Sequence, residues 1–149
     1  MGEIGANGVF EAATGDGPPT AGDAARTAEV QAAYAGLIQI RRLTGTAPAP
    51  WERGRMVWAV ALALEAGGVP PSAVAGDGAR VAAGYRVVAD AERPDAVRVE
   101  WAGPPGGAAP REAEGRLREG ARVLAEAGWE ALLYRGAGGR RFLEVEPAG

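Results

Sequence analysis

The spacing of apolar positions changes along the chain, and each change marks a change of element. In residues 24–44, Val30, Tyr34, Leu37 and Ile38 recur at helical intervals, which predicts a helix with one inward stripe. Asp23 is a good N-cap for it, Arg41 and Arg42 fall in the last turn where cations complement the helix dipole, and Gly45 supplies the stop. Residues 46–50 form a proline-punctuated connector. A second helix is expected over Trp51–Ala66. Its middle, Met56 to Leu64, is apolar on every face, and such a helix must be covered on every face. The first helix covers one side, so a sheet or a second subunit is expected to cover the rest. Gly67 and Gly68 end it.

Residues 69–83 carry two signals. Val69-Pro70-Pro71-Ser72 suits the opening of a short helix, whereas Gly76-Asp77-Gly78 contains an Asp-Gly turn that suits a hairpin. A turn or short helix followed by extended chain is the expectation. From Tyr85 the period falls to two. Tyr85, Val87 and Ala89 alternate with Arg86, Val88 and Asp90, and after the turn Glu92–Asp95, Val97, Val99 and Trp101 alternate with Arg98 and Glu100. That pattern is a hairpin with one buried face.

Beyond the Gly/Pro loop 103–107, Arg111–Ala127 reads as a further helix with Ala113, Leu117, Ala121, Leu124 and Ala127 inward. Glu112–Arg116, Glu114–Arg118 and Glu119–Arg122 have the spacings of ion pairs on an exposed helical face. Gly115 and Gly120 each weaken it by about 1 kcal/mol relative to Ala, so this helix needs packing, and Gly120 suits a close approach to the sheet. Trp129–Tyr134 and Arg140–Glu146 read as two last strands, joined by the tip 135–139. The expected fold is α+β: an N-terminal helical hairpin, then a hairpin–helix–hairpin unit whose four mostly antiparallel strands carry a helix on one face. Residues 1–22, rich in Gly, Ala, Thr and Pro, are expected to be a flexible tail, with Phe10 as the residue able to anchor it. Residues 23–149 then form one domain, with a helical part (23–66) and a sheet part (84–146).

Composition narrows the chemistry. The chain has no Lys, His or Cys, and its one Ser is Ser72. A Ser-His-Asp triad, a Cys-His pair, a zinc finger and a phosphate loop with its Lys are therefore impossible. All 16 basic residues are Arg. With the abundance of Ala and Gly, this points to high-GC coding, as in an actinomycete or one of its mobile elements. Net charge is −3, and it is evenly spread: residues 1–50 hold 3 Arg and 5 acids, 51–100 hold 6 and 7, and 101–149 hold 7 and 7. No segment has the basic footprint of a dedicated nucleic-acid binder. Met1–Gly5 has neither a basic nor an apolar leader pattern, Ala6 breaks the myristoylation pattern, and the apolar run 56–64 is far short of a membrane span. A cytoplasmic protein without a membrane partner is the expectation.

Arg135-Gly136-Ala137-Gly138-Gly139-Arg140-Arg141 is the best candidate for an anion or nucleic-acid contact. Gly136 and Gly138 let backbone N–H groups approach a ligand, and Arg135, Arg140 and Arg141 can bind phosphate. It joins two strands, so it lacks the strand-to-helix context of a dinucleotide site, and a solvated turn is the plainer reading. Residues 57–83 invite a helix-turn-helix reading with a hairpin wing, yet the would-be recognition segment offers only Ser72 and Asp77 before Arg80. Glu112, Glu114, Glu119 and Glu126 sit among arginines and read as a solvated ion-pair face. The four tryptophans, Trp51, Trp58, Trp101 and Trp129, read as packing residues, with Trp51 the most exposed. Ser72 has no imidazole partner and makes a poor nucleophile.

No catalytic residue, metal site or cofactor is assigned. The expected function is a non-catalytic binding or adaptor protein that self-associates through Trp58 and Leu62, which share one face of the apolar helix. A protein partner fits this reading; nucleic acid is not favoured. The alternative is a DNA-associated regulator with a winged-helix-like middle, and third is an enzyme working with carboxylates, Arg and Tyr alone.

Overall fold

The structure, a computed structural model, describes residues 10–148. Helix α1 spans Ala24–Thr44, α2 Pro50–Arg53 and α3 Met56–Ala66. A small hairpin follows, β1 (Ala73–Val74) and β2 (Arg80–Ala82). Then come β3 (Gly84–Ala89), β4 (Val97–Ala102), helix α4 (Ala109–Glu126), β5 (Trp129–Arg135) and β6 (Arg141–Pro147). The last four strands form one antiparallel sheet in the order β3-β4-β6-β5. The α+β hairpin–helix–hairpin architecture is therefore present. Among the described residues, no helix is long and apolar enough to cross a membrane.

The period-two residues do what their spacing demands. Tyr85, Val87, Val97, Val99, Trp129, Leu143 and Val145 are buried on one sheet face, where α3 and α4 both pack. Helix α1 lies behind α3, and its Val30 and Leu37 close over Leu62. Asp23 caps α1 by accepting the Arg26 N–H at 2.9 Å, and Gly45 ends it in the left-handed region at φ 77°. In α4, Leu117, Gly120 and Leu124 are the buried stripe, with Ala109 at its start. Gly120 comes close to Leu64 of α3 as well as Leu143 of the sheet. Of the expected ion pairs, Glu114–Arg118 forms at 3.0 Å; Arg116 turns to Glu119 at 3.5 Å instead of Glu112.

Two expectations are corrected and one open alternative is resolved. The second helix is broken: Gly54 and Arg55 separate α2 from α3. The break lets Glu52 turn inward, where it is fully buried and accepts Arg41 Nε and Nη2, each at 2.8 Å, and the Ala49 N–H at 2.8 Å. Residues 69–83 contain no helix. The Asp-Gly turn wins, with the Ala75 N–H donating to Ala79 O and the Ala79 N–H to Asp77 Oδ1, so a helix-turn-helix has no recognition helix here.

The second correction concerns the expected tail, whose first nine residues lie outside the described ones. From Phe10 the chain is docked. Phe10 meets Trp58 edge-on at 6.0 Å, and carbonyls of the next residues are taken one after another. Ala13 O accepts Tyr85 Oη, Thr14 O the Val87 N–H, Gly15 O Arg80 Nη1 and Gly17 O the Val74 N–H. Gly15, at φ 101°, is where this strap crosses β3; a Cβ there would collide with Tyr85 O.

Candidate functional site

Eight of the 16 arginines are committed to ion pairs among the described residues. Arg41 is locked on Glu52 and Arg26 on Glu65 at 2.7 Å. Arg80 and Arg86 clasp Asp16 of the strap, each at 2.8 Å. Burial works against ionisation of Asp16, but the hydrogen bonds from Arg86 and Arg80 outweigh it and hold its carboxyl below the usual range. Arg93 reaches Glu144 and Glu146 at 2.9 and 3.2 Å. Ser72 is equally committed: its hydroxyl donates to Ala82 O at 2.7 Å and accepts Arg80 Nη1 at 2.8 Å. Burial pushes the Tyr85 phenol far up, and its hydroxyl is held between Ala13 O and Ala61 O.

Two of the arginines without an ion pair, Arg98 and Arg140, lie together at one end of the sheet. A cleft of about 620 Å³ opens there between the β4–α4 loop and the β5–β6 tip. Residues 103–106 form one wall, residues 136–140 the other, and the first turn of α4 the back. Arg80, Arg98, Arg140 and Arg141 line it, against a single carboxylate, Glu100, which is itself bonded to Arg86 at 2.9 Å. Trp101 and Phe142 supply aromatic surface. Arg141 leans on Glu114 at 3.0 Å, and this contact, after the larger hydrogen bond from Arg118, holds the Glu114 carboxyl below its usual range. Among the described residues, Arg98 and Arg140 have no carboxylate within ion-pair distance. Arg98 lies instead over the Phe142 ring, 3.8 Å from its centroid, and Phe142 stacks on Tyr134 at 5.8 Å.

Two backbone features add positive potential to the same cleft. Helix α4 begins there with Ala108 as its N-cap, a residue with no side-chain acceptor, and Pro110 follows in the first turn. Pro110 has no N–H and the Arg111 N–H is taken by Ala108 O, so the Ala109 N–H is the first-turn donor without a cap, and the helix dipole points its positive end into the cleft. The tip closes with Gly136 N–H on Arg140 O and Gly139 N–H on Gly136 O. Gly138 and Gly139 take φ of 70° and 77°, so this turn needs residues without a Cβ.

Of the residues singled out from the sequence, Gly136, Gly138, Arg140 and Arg141 all line the cleft; Arg135 does not. Arg80, Arg98, Trp101, Phe142 and the β4–α4 loop join the site only through folding. Pairing of β4 with β6 brings Glu100 opposite Phe142, and nothing local in the sequence announces that register. Trp58 and Leu62 lie elsewhere and are covered within the chain. Leu62 is fully buried beneath α1, and Trp58 packs on Phe10 and Trp51. The apolar helix thus needs no second subunit to hide it. Comparison of the chain with protein-family models, with curated proteins and with solved structures finds no match.

Proposed function

We propose that this protein is a binding module for a small anionic ligand, held in the cleft between the β4–α4 loop and the β5–β6 tip. The observation that carries the reading is that Arg98 and Arg140, neither with a carboxylate in ion-pair distance, line one cleft together with the start of α4. Of the eight described arginines that make no ion pair, these two line the cleft, where their guanidinium groups favour negative charge. Guanidinium groups and helix N-termini both favour phosphate and carboxylate. Phe142, on the open face of the sheet, gives the ligand's body an apolar, planar surface.

Binding without turnover is supported by the lining, whose one carboxylate, Glu100, is tied to Arg86. A long polyanion fits less well, because Glu130, Glu144 and Glu146 lie on the sheet face beside Phe142 and Tyr134. Isothermal titration against inorganic phosphate, a nucleoside monophosphate and citrate tests the reading. The expected result is binding of at least one of them, weakened by added salt and abolished in the double variant Arg98→Ala, Arg140→Ala. Absence of binding to all three, or binding that survives the double variant, contradicts it.

A further inference from the structure

The two edges of the sheet are treated differently. On β3, the outward N–H groups of Tyr85 and Val87 are taken by Pro70 O and Thr14 O. On β5 they are bare. Gly128 O accepts the Ala148 N–H, and the Gly136 N–H donates to Arg140 O. With the register Trp129↔Pro147 to Arg135↔Arg141, the even-numbered residues of β5 therefore bond to β6. Trp129, Ala131, Leu133 and Arg135 turn their N–H and C=O groups outward, and no described residue hydrogen-bonds to them. Natural edge strands are usually blunted by a bulge, a proline, an inward charge or a short length. β5 is seven residues long, with unbroken register and no proline. It also carries two of the exposed large apolar side chains, Leu132 at 45% and Tyr134 at 43% exposure.

We propose that this edge pairs with the same edge of a second copy, joining the two sheets into one across a two-fold axis at Leu132. The strand is self-complementary in that register. Ala131 pairs with Leu133 and Trp129 with Arg135 through the outward N–H and C=O groups. On the open face Leu132 meets its own copy and Glu130 lies opposite Tyr134, so no like charges face one another. Leu132 then occupies a non-hydrogen-bonded pair, where side chains approach most closely. The contact uses the outer edge of β5, and the ligand cleft touches this strand only through Phe142 and Arg141 of β6, at its far end.

Absence of Cys makes the test direct, because Leu132→Cys creates the chain's only thiol. Facing Cα atoms in a non-hydrogen-bonded pair are about 4.5 Å apart, within disulfide range. The expected result is a wild-type protein of twice 15.2 kDa by light scattering, and a Leu132→Cys variant that oxidises to a covalent dimer at a rate independent of protein concentration. Leu43→Cys, at a site 87% exposed on α1, should cross-link only in proportion to concentration. Leu132→Arg, which sets two cations across the axis, should shift the protein to monomer with its circular dichroism unchanged. A monomeric wild type at high micromolar concentration overturns the proposal, and so does Leu132→Cys cross-linking no differently from Leu43→Cys. Capture of an extended peptide by β5 of a monomer overturns it as well.

Discussion

Arginine has two fates in this molecule, and the junction of α1 with α2 and the cleft at the sheet's end show them side by side. At the junction, Arg41 meets a fully buried Glu52 whose oxygens are satisfied by three hydrogen bonds. In the cleft, Arg98 and Arg140 make no ion pair, and Arg98 rests on an aromatic ring. The first arrangement fixes the chain and has no capacity left for a ligand. The second contributes little to folding and leaves charge available. Residue type alone therefore says nothing about function here; the partner does.

The comparison breaks most visibly at Arg41. Arg41→Ala strands the Glu52 carboxylate in the interior, and removing one member of a buried pair costs about 3–5 kcal/mol. Chemical denaturation checks this; a loss below about 1 kcal/mol would place Arg41 with the dispensable arginines. Asp16→Asn, at the strap, gives the intermediate case. The Asp16 carboxyl is 40% exposed, so its clasp is worth under about 1 kcal/mol. Its ordinary value is 3.8 and its folded value lies lower. Its contribution is therefore complete above pH ~4 and fades as pH falls below that towards the folded value. The stability gap between wild type and Asp16→Asn should narrow over that acid range; a gap that widens there contradicts the clasp. Smallest of all is the stability effect of the double variant Arg98→Ala, Arg140→Ala, expected within about 0.5 kcal/mol of wild type as for surface substitutions generally. A large loss of stability would show these two to be structural.

The sheet and its helices were legible because their signals are local. Alternation at Tyr85–Ala89 and Val97–Trp101, the cap at Asp23 and the stop at Gly45 each specify an element without reference to the rest of the chain. The errors share a different origin. The apolar helix seemed to need a second subunit because the covering by α1, α4 and the sheet together is a tertiary sum that no window of sequence contains. The strap hid among small residues because its binding is made by backbone carbonyls, which every residue has; only Asp16 and Phe10 carried a side-chain signal. Gly54 broke a helix that its neighbours favoured, since the inward turn of Glu52 is compensated by Arg41, eleven residues away. Half of the cleft was visible in the Arg/Gly tip. The other half, Arg98 and Phe142, depends on strands pairing across the sheet.

Backbone amide NMR of the wild-type protein during titration with inorganic phosphate tests the central claim most directly. A ligand seated between the tip and the uncapped helix should move the N–H signals of residues 136–140 and of Gly106–Ala109 together, saturably, while those of Arg26, Arg41 and the strap stay in place. Shifts scattered over every arginine-bearing surface, or none at the cleft, would contradict the assignment of this site.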